Sequence, residues 1–271
     1  MVQESIILPS QGYPYFGRVE GSSVIVKPLT TRVYKDFLVS PSEEAVLNLV
    51  DNCLVDCPIK AEEMVYQDEL AIYLKIRTLS MGSLLPVFST CPKCKNKNTD
   101  NWDLMQLECN YLVLDEYPMS ITLPESGKKV SLLYPTSKSN RLAREQAQKR
   151  AGLFNKNLSE FLSSFQMAEV IIIDGLNDIV DKAEWYNSLP LVDAIYIDQV
   201  LEKMQDFGIV TNRVTQCQTC KHEYITPLQI TSDFFRPIIG NINGIKTAKG
   251  TLEKGITDAN ENEHEGTHIS N

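Results

Sequence analysis

Long apolar stretches are missing from this sequence. Runs such as Val170-Ile-Ile-Ile173 stop at four residues, where a membrane span needs about 20. No secretory leader opens the chain, because Met1-Val-Gln-Glu-Ser-Ile-Ile-Leu-Pro9 has neither a basic start nor a long apolar centre. The protein is therefore expected to be cytosolic when made. Excess positive charge is also lacking. The formal net charge is −9, whereas a nucleic-acid binder usually shows a basic stripe. Histidine is scarce, with His222, His264 and His268 the only three, and the last two fall in a polar tail, a poor place for general-base chemistry. There is no phosphate-binding glycine loop, no nucleophile elbow and no His-Glu-x-x-His. The acidic pairs Glu43-Glu44 and Glu62-Glu63 read as helix-start charges. Without a catalytic constellation, an enzyme is not expected.

What is present suits a globular chain. Its 271 residues are 43% hydrophobic and 23% charged, enough to bury a substantial core. Ser5 to Pro9 and Ser23 to Pro28 read as strands. They flank Gln11-Gly-Tyr-Pro-Tyr-Phe-Gly17, a turn or an extended arm. From Thr30 the pattern turns helical. Ser42-Glu43-Glu44 starts a helix that Pro58 closes, and a second helix runs from Gln67 to about Leu79 with Gly82 as its stop. Leu84 to Thr90 reads as a strand. Ser120 to Tyr134 reads as a hairpin turning at Glu125-Ser-Gly-Lys128. Residues 138 to about 207 are mostly helical, with a loop or short hairpin at Leu176 to Asp181, Pro190 in a helix's first turn and Gly208 at its end. Ile209 to Thr215 reads as another strand, and Phe234-Phe235 as the last hydrophobic anchor. The basic run from Lys138 to Arg150 lies on a helix. Its plain reading is a solvated face, and its sharper one a patch for an acidic partner.

Seven cysteines in a cytosolic protein argue for metal binding or buried thiols over disulfides. Two pairs stand out, Cys91-Pro-Lys-Cys94 and Cys217-Gln-Thr-Cys220. Thiolates three residues apart can bend around one metal, and four of them close a tetrahedral site for a single structural zinc. Lys93, Lys95, Lys97 and Lys221 help offset its negative charge. The spacing exceeds the ~15–20 residues of a compact zinc ribbon, so a metal here clips together the two ends of a long insertion. A redox pair would sit at a strand-to-helix turn, while both pairs here lie between strands. Four thiolates leave no vacancy for catalysis. His222 is the weaker candidate ligand. Cys53 and Cys57, four apart on a helix, read as small core residues, as does the isolated Cys109.

The stretch Arg77-x-x-Ser80-x-Gly82 before the first knuckle, the hairpin with Gly127, the helical insertion, the second knuckle and Phe234-Phe235 together resemble the T4-type bacteriophage baseplate family, whose members are hub or hub-assembly components. The resemblance spans roughly residues 65–237. It implies a virion tail protein made in the host cytoplasm, at the hub or at a wedge-to-hub contact. Its implied partners are other tail and baseplate proteins, with copies of itself in a symmetric ring a further candidate, and neither nucleic acid nor membrane. The alternatives are a hub assembly chaperone absent from the finished virion, and a zinc-ribbon nucleic-acid-binding factor.

The expected fold is α+β, a small antiparallel β/zinc-ribbon region interrupted by a helical insertion and preceded by a helical segment. Its parts are N-terminal strands or an arm (1–29), a helical segment (30–83), the first knuckle and hairpin (84–137), the helical insertion (138–208), the second knuckle and strands (209–240) and a polar tail (241–271).

Overall fold

The structure, a computed structural model, describes residues 2–39, 42–228, 230 and 232–235. The tail read over 241–271 and residues Arg236-Pro237 lie outside these. Strand β1 (Glu4–Ile7) pairs antiparallel with β2 (Ser23–Val26), Glu4 opposite Val26. Between them, Gln11–Gly17 folds back as turns. Tyr15 is buried, and its hydroxyl donates to the Asp68 carboxylate at 2.6 Å. The turn reading of this segment therefore holds, and it does not leave the body as an arm.

Helices α1 (Thr31–Val39) and α2 (Glu43–Cys53) follow. The Ser42 hydroxyl accepts the Ala45 amide at 3.2 Å, and two acids fill the first turn, as the sequence suggested. The helix stops at Cys53, well before Pro58. Here β3 (Leu54–Val55) pairs with β2, Leu54 opposite Val26, and strand pairing outcompetes helix propagation. Cys57 consequently falls beyond the helix, and Cys53 and Cys57 do not share a helical face.

Helix α3 (Tyr66–Met81) is the spine of the first core. It buries Leu70, Ala71, Ile72, Tyr73, Leu74 and Ile76, so it is enclosed on nearly every side. Gly82 ends it with φ +86°, a conformation that suits glycine. Two buried charged residues on α3 fix its neighbours. Asp68 accepts the Ser10 amide at 2.8 Å, the Ser10 hydroxyl and the Tyr15 hydroxyl. Arg77, fully buried, donates to carbonyls alone among the described residues: Phe234 at 2.7 Å, Leu84 at 3.2 Å, and Gly82. Ser80 accepts the Leu29 amide at 2.8 Å and donates to the Ile76 carbonyl at 2.6 Å. The Arg77-x-x-Ser80-x-Gly82 stretch thus ties one helix end to the chain that follows it and to two distant segments, at Leu29 and Phe234. Tyr73 stacks on Phe234 at 5.1 Å and meets Phe235 edge-on at 4.9 Å, so these phenylalanines anchor the core.

Strands β4 (Leu84–Thr90) and β5 (Lys97–Asp103) form a hairpin, Leu84 opposite Asp103. Beyond it come β6 (Cys109–Asn110), then the hairpin of β7 (Met119–Thr122) and β8 (Lys129–Leu132), turning at Gly127 with φ +66°. Helices α4 (Ser137–Phe154) and α5 (Ser159–Val170) lead to β9 (Ile171–Ile172) on the free edge of β8, then to α6 (Ile179–Asn187) and α7 (Leu191–Met204). The loop or hairpin expected at Leu176–Asp181 is mostly helix start, with the Asp178 carboxylate accepting the Val180 and Asp181 amides at 2.8 and 3.1 Å. From α7, Asp193 reaches the β7–β8 turn and accepts the Glu125 and Ser126 amides at 2.8 and 3.0 Å.

Strand β10 (Gly208–Ile209) pairs with β6 and closes the insertion. Gly208 does not cap α7, which ends at Met204. It lets the backbone run close to α3, since a Cβ there would lie 2.9 Å from the Gln67 side chain. The hairpin of β11 (Asn212–Gln216) and β12 (Glu223–Pro227), then a short 3-10 turn at Ser232–Phe235, complete the described chain. Seven helices and five small antiparallel sheets make the described residues α+β.

The basic run on α4 has acidic partners within the chain. Lys138 pairs with Glu63 at 3.2 Å, Arg141 with Glu62 at 2.9 Å and Arg150 with Glu184 at 2.6 Å. On the buried face, Ala143 and Ala147 pack with Phe165, Ala168 and Ala183, and Ala151 is buried as well.

Two predictions follow from α3. Arg77→Met leaves the buried Phe234 carbonyl and the half-buried Gly82 and Leu84 carbonyls without their side-chain donor and should lower stability by roughly 3 kcal/mol in urea unfolding. Burial pushes the Glu69 carboxyl up to about 7 from an ordinary 4.5, Ser137 lowering it and Glu43 raising it. Below pH 4.5 both folded and unfolded states hold the proton. Between about 4.5 and 7 the unfolded state gives up its proton while the folded state keeps it, so stability falls across that window and stays at the lower level once the buried carboxyl ionises above 7. Glu69→Gln should therefore raise the thermal midpoint at pH 8, by roughly 2 kcal/mol equivalent once partial exposure is allowed for, and leave it unchanged near pH 4.

Candidate metal centre

The β4–β5 and β11–β12 hairpins each end in a Cys-x-x-Cys turn, and the two turns share one backbone plan. In the first, the Cys91 amide donates to the Asn96 carbonyl and the Lys95 amide to the Cys91 carbonyl, both at 2.9 Å. In the second, the Cys217 amide donates to the His222 carbonyl at 2.9 Å and the Lys221 amide to the Cys217 carbonyl at 3.0 Å. Lys95 and Lys221 both take positive φ, +61° and +58°. The shared Cys-x-x-Cys-Lys pattern was a visible sign of this equivalence.

The four sulfurs lie within 4.8 Å of one another. Cys91 Sγ is 3.7 Å from Cys220 Sγ, and Cys94 Sγ is 3.6 Å from Cys217 Sγ. Sulfurs at the corners of a tetrahedron around a zinc with ~2.3 Å bonds stand about 3.8 Å apart, while a disulfide needs about 2.05 Å. The spacing fits a metal and not two disulfides. Cys91 and Cys217 are buried, Cys220 half-buried and Cys94 exposed. His222 contributes its carbonyl to the turn and is not in the sulfur cluster. Cys53, Cys57 and Cys109 also lie outside the cluster.

Electrostatics at the cluster favour a cation. Amides of Cys220 and Thr219 pull the Cys217 thiol down to about 6. Against burial, the amides of Cys94 and Lys93 also lower Cys91. The Asn96 amide lowers Cys94, but the thiols of Cys220, Cys217 and Cys91 push it up to about 12. One thiol falls while its neighbour rises because adjacent thiolates repel. A central divalent ion removes that repulsion and deprotonates its ligands.

Two residues that sequence reading missed hold the knuckles together. Asn98, buried on β5, donates to the Tyr224 hydroxyl at 3.0 Å, accepts the Gln218 amide at 3.0 Å and places its Nδ2 3.9 Å from Cys217 Sγ. Tyr224 also bonds Ser89 across the hairpins at 2.8 Å. Nothing in the sequence separated Asn98 from the other polar residues after Cys94, because its partners lie about 120 positions away.

Comparison with known families settles the wider context. The family model described as T4 bacteriophage base plate protein matches residues 7–236. The chain belongs to that family. Its match begins well before residue 65 and takes in the β1–β2 region, so the family's extent is larger than the motifs around the knuckles suggested. Membership places the protein among structural baseplate components of phage tails, with other tail proteins as its partners. No curated protein and no solved structure matches this chain. Among the described residues, no helix is long and apolar enough to cross a membrane.

Chelation or Cys217→Ser should lower the melting temperature of the purified protein by roughly 5–15 °C, since metal binding adds to folding free energy. Asn98→Leu keeps all four thiols but should weaken metal affinity by about 10- to 100-fold, read by competition with a chromogenic chelator.

Proposed function

We propose that this protein is a non-enzymatic structural part of the phage baseplate, at the hub or a wedge-to-hub contact, in which one zinc ion held by Cys91, Cys94, Cys217 and Cys220 fastens the base of a long insertion. The baseplate family match over residues 7–236 carries this reading. The sulfur spacing supports the metal assignment. Four thiolates fill a tetrahedral zinc, so the ion has no open position for a substrate or an activated water. Its work is mechanical. It joins knuckles 123 residues apart, as measured from Cys94 to Cys217, and so removes a large loop entropy from the unfolded chain. The protein is made in the host cytoplasm and carried in the virion tail, binding neighbouring proteins and not nucleic acid, in keeping with the −9 charge.

Quantitative mass spectrometry of purified particles, set beside infected-cell lysate, tests the role. A fixed stoichiometry in particles is the expected result. Presence only on unfinished hubs would make the protein an assembly chaperone instead, and absence from both would remove the baseplate role. Elemental analysis of the recombinant protein should find one zinc per chain. Iron in its place, with a visible absorption band, would change the metal but not the clip.

A further inference from the structure

The two metal-tipped hairpins leave a groove between them. Its volume is about 630 Å³, and it is lined by Phe88, Ser89 and Thr90 of β4, Lys97 and Asn98 of β5, and Tyr224 to Pro227 of β12. Consecutive residues of β4 and β12 line it. A strand that presented a face would contribute every second residue, so the groove is bordered by strand edges. Among the described residues β4 pairs only with β5, and β12 only with β11.

Ladder alternation identifies the free groups. Ser83 pairs with Leu104 through a main-chain bond, and so does Cys91 with Asn96. Bonded pairs recur at every second position between them, so Leu84, Pro86, Phe88 and Thr90 turn their backbone groups away from β5. On the other hairpin, Cys217 bonds His222 and Leu228 bonds Thr211, which leaves Glu223, Ile225 and Pro227 facing away from β11. Pro86 and Pro227 both occupy outward positions, where a missing N–H costs no ladder bond. The usable free N–H groups on the groove are those of Phe88, Thr90 and Ile225. The same Phe88 and Ile225 expose their side chains, at 71% and 68%. Open edges with exposed apolar residues invite another strand.

Charge narrows the occupant. Lys93, Lys95 and Lys221 belong to the two knuckle turns themselves. Lys97 lines the groove as its one charged residue and makes no ion pair among the described residues. We propose that this groove docks an extended apolar strand of a neighbouring protein, which adds to the β4 or β12 edge through Phe88, Thr90 and Ile225 and sets a carboxylate against Lys97. The inference rests on the baseplate reading only for who the neighbour is.

The zinc-loaded full chain, isotope-labelled for NMR, is titrated with the peptide Gly-Val-Glu-Val-Glu-Val-Gly and with its lysine twin. The glutamate peptide should shift the amides of Phe88, Thr90 and Ile225 and bind at least fivefold tighter than the twin. Ile225→Pro removes one outward N–H and should cost at least fivefold in affinity with zinc content unchanged. If that variant loses its zinc, Phe88→Glu, which alters only an exposed side chain, should show the same loss. No shift at these amides up to millimolar peptide, equal binding of both peptides, or shifts driven by protein concentration alone, which would mean a second copy on the edges, each overturns the proposal. None of these outcomes depends on particles, so the test can fail while the baseplate reading stands.

Discussion

Four sulfurs held at 3.6–3.7 Å contacts across 123 residues of chain set the strongest constraint on this fold. The chain from the end of β5 to the start of β11 has to leave the paired hairpins and return to them. The chain meets this requirement twice, first at the knuckles and again where β6 pairs with β10. Beyond that second closure, the β7–β8 hairpin and the helices α4 to α7 build cores of their own. The insertion thus packs on itself, while its root is fixed by thiols, by the Asn98–Tyr224–Ser89 bonds and by the short β6–β10 ladder.

The first core depends on polar groups as much as on apolar ones. Asp68 and Arg77 are buried on α3 and, among the described residues, pair with no opposite charge. Each is sustained by several hydrogen bonds: Asp68 to the remote Ser10–Tyr15 turns, and Arg77 to the nearby Gly82 and Leu84 carbonyls and the remote Phe234 carbonyl. A buried charge left unbonded is very costly, so these contacts specify where the N-terminal turns, the root of β4 and the Phe234–Phe235 pair must sit. Apolar packing tolerates several arrangements of similar volume, and the directional bonds choose among them. The acidic balance of the chain works in the same sense, because Glu63, Glu62 and Glu184 pair with Lys138, Arg141 and Arg150 of α4.

Local signals carried much of this into the sequence. Ser42 with its two acids marked the start of α2, Gly82 the end of α3, and Gly127 the hairpin turn, since each acts within a few residues. Two Cys-x-x-Cys pairs were enough to suggest the ligand set, because the chemistry of four paired thiols admits few alternatives. The errors came where distant pairing overrode local preference. Helix α2 ends early because Leu54 and Val55 are claimed by β2. Gly208 looked like a helix stop and instead allows β10 to pass Gln67.

By itself, then, the sequence determined the α+β class, the candidate thiol ligands and the family, because these follow from composition, spacing and short motifs. Only the tertiary structure decided that the two knuckles meet, that Asn98 and Tyr224 brace them, that Arg77 is buried on carbonyls and that, among the described residues, two strand edges beside Lys97 have no partner strand. Each of these depends on groups far apart in the chain, and long-range proximity is set by the packing of whole elements.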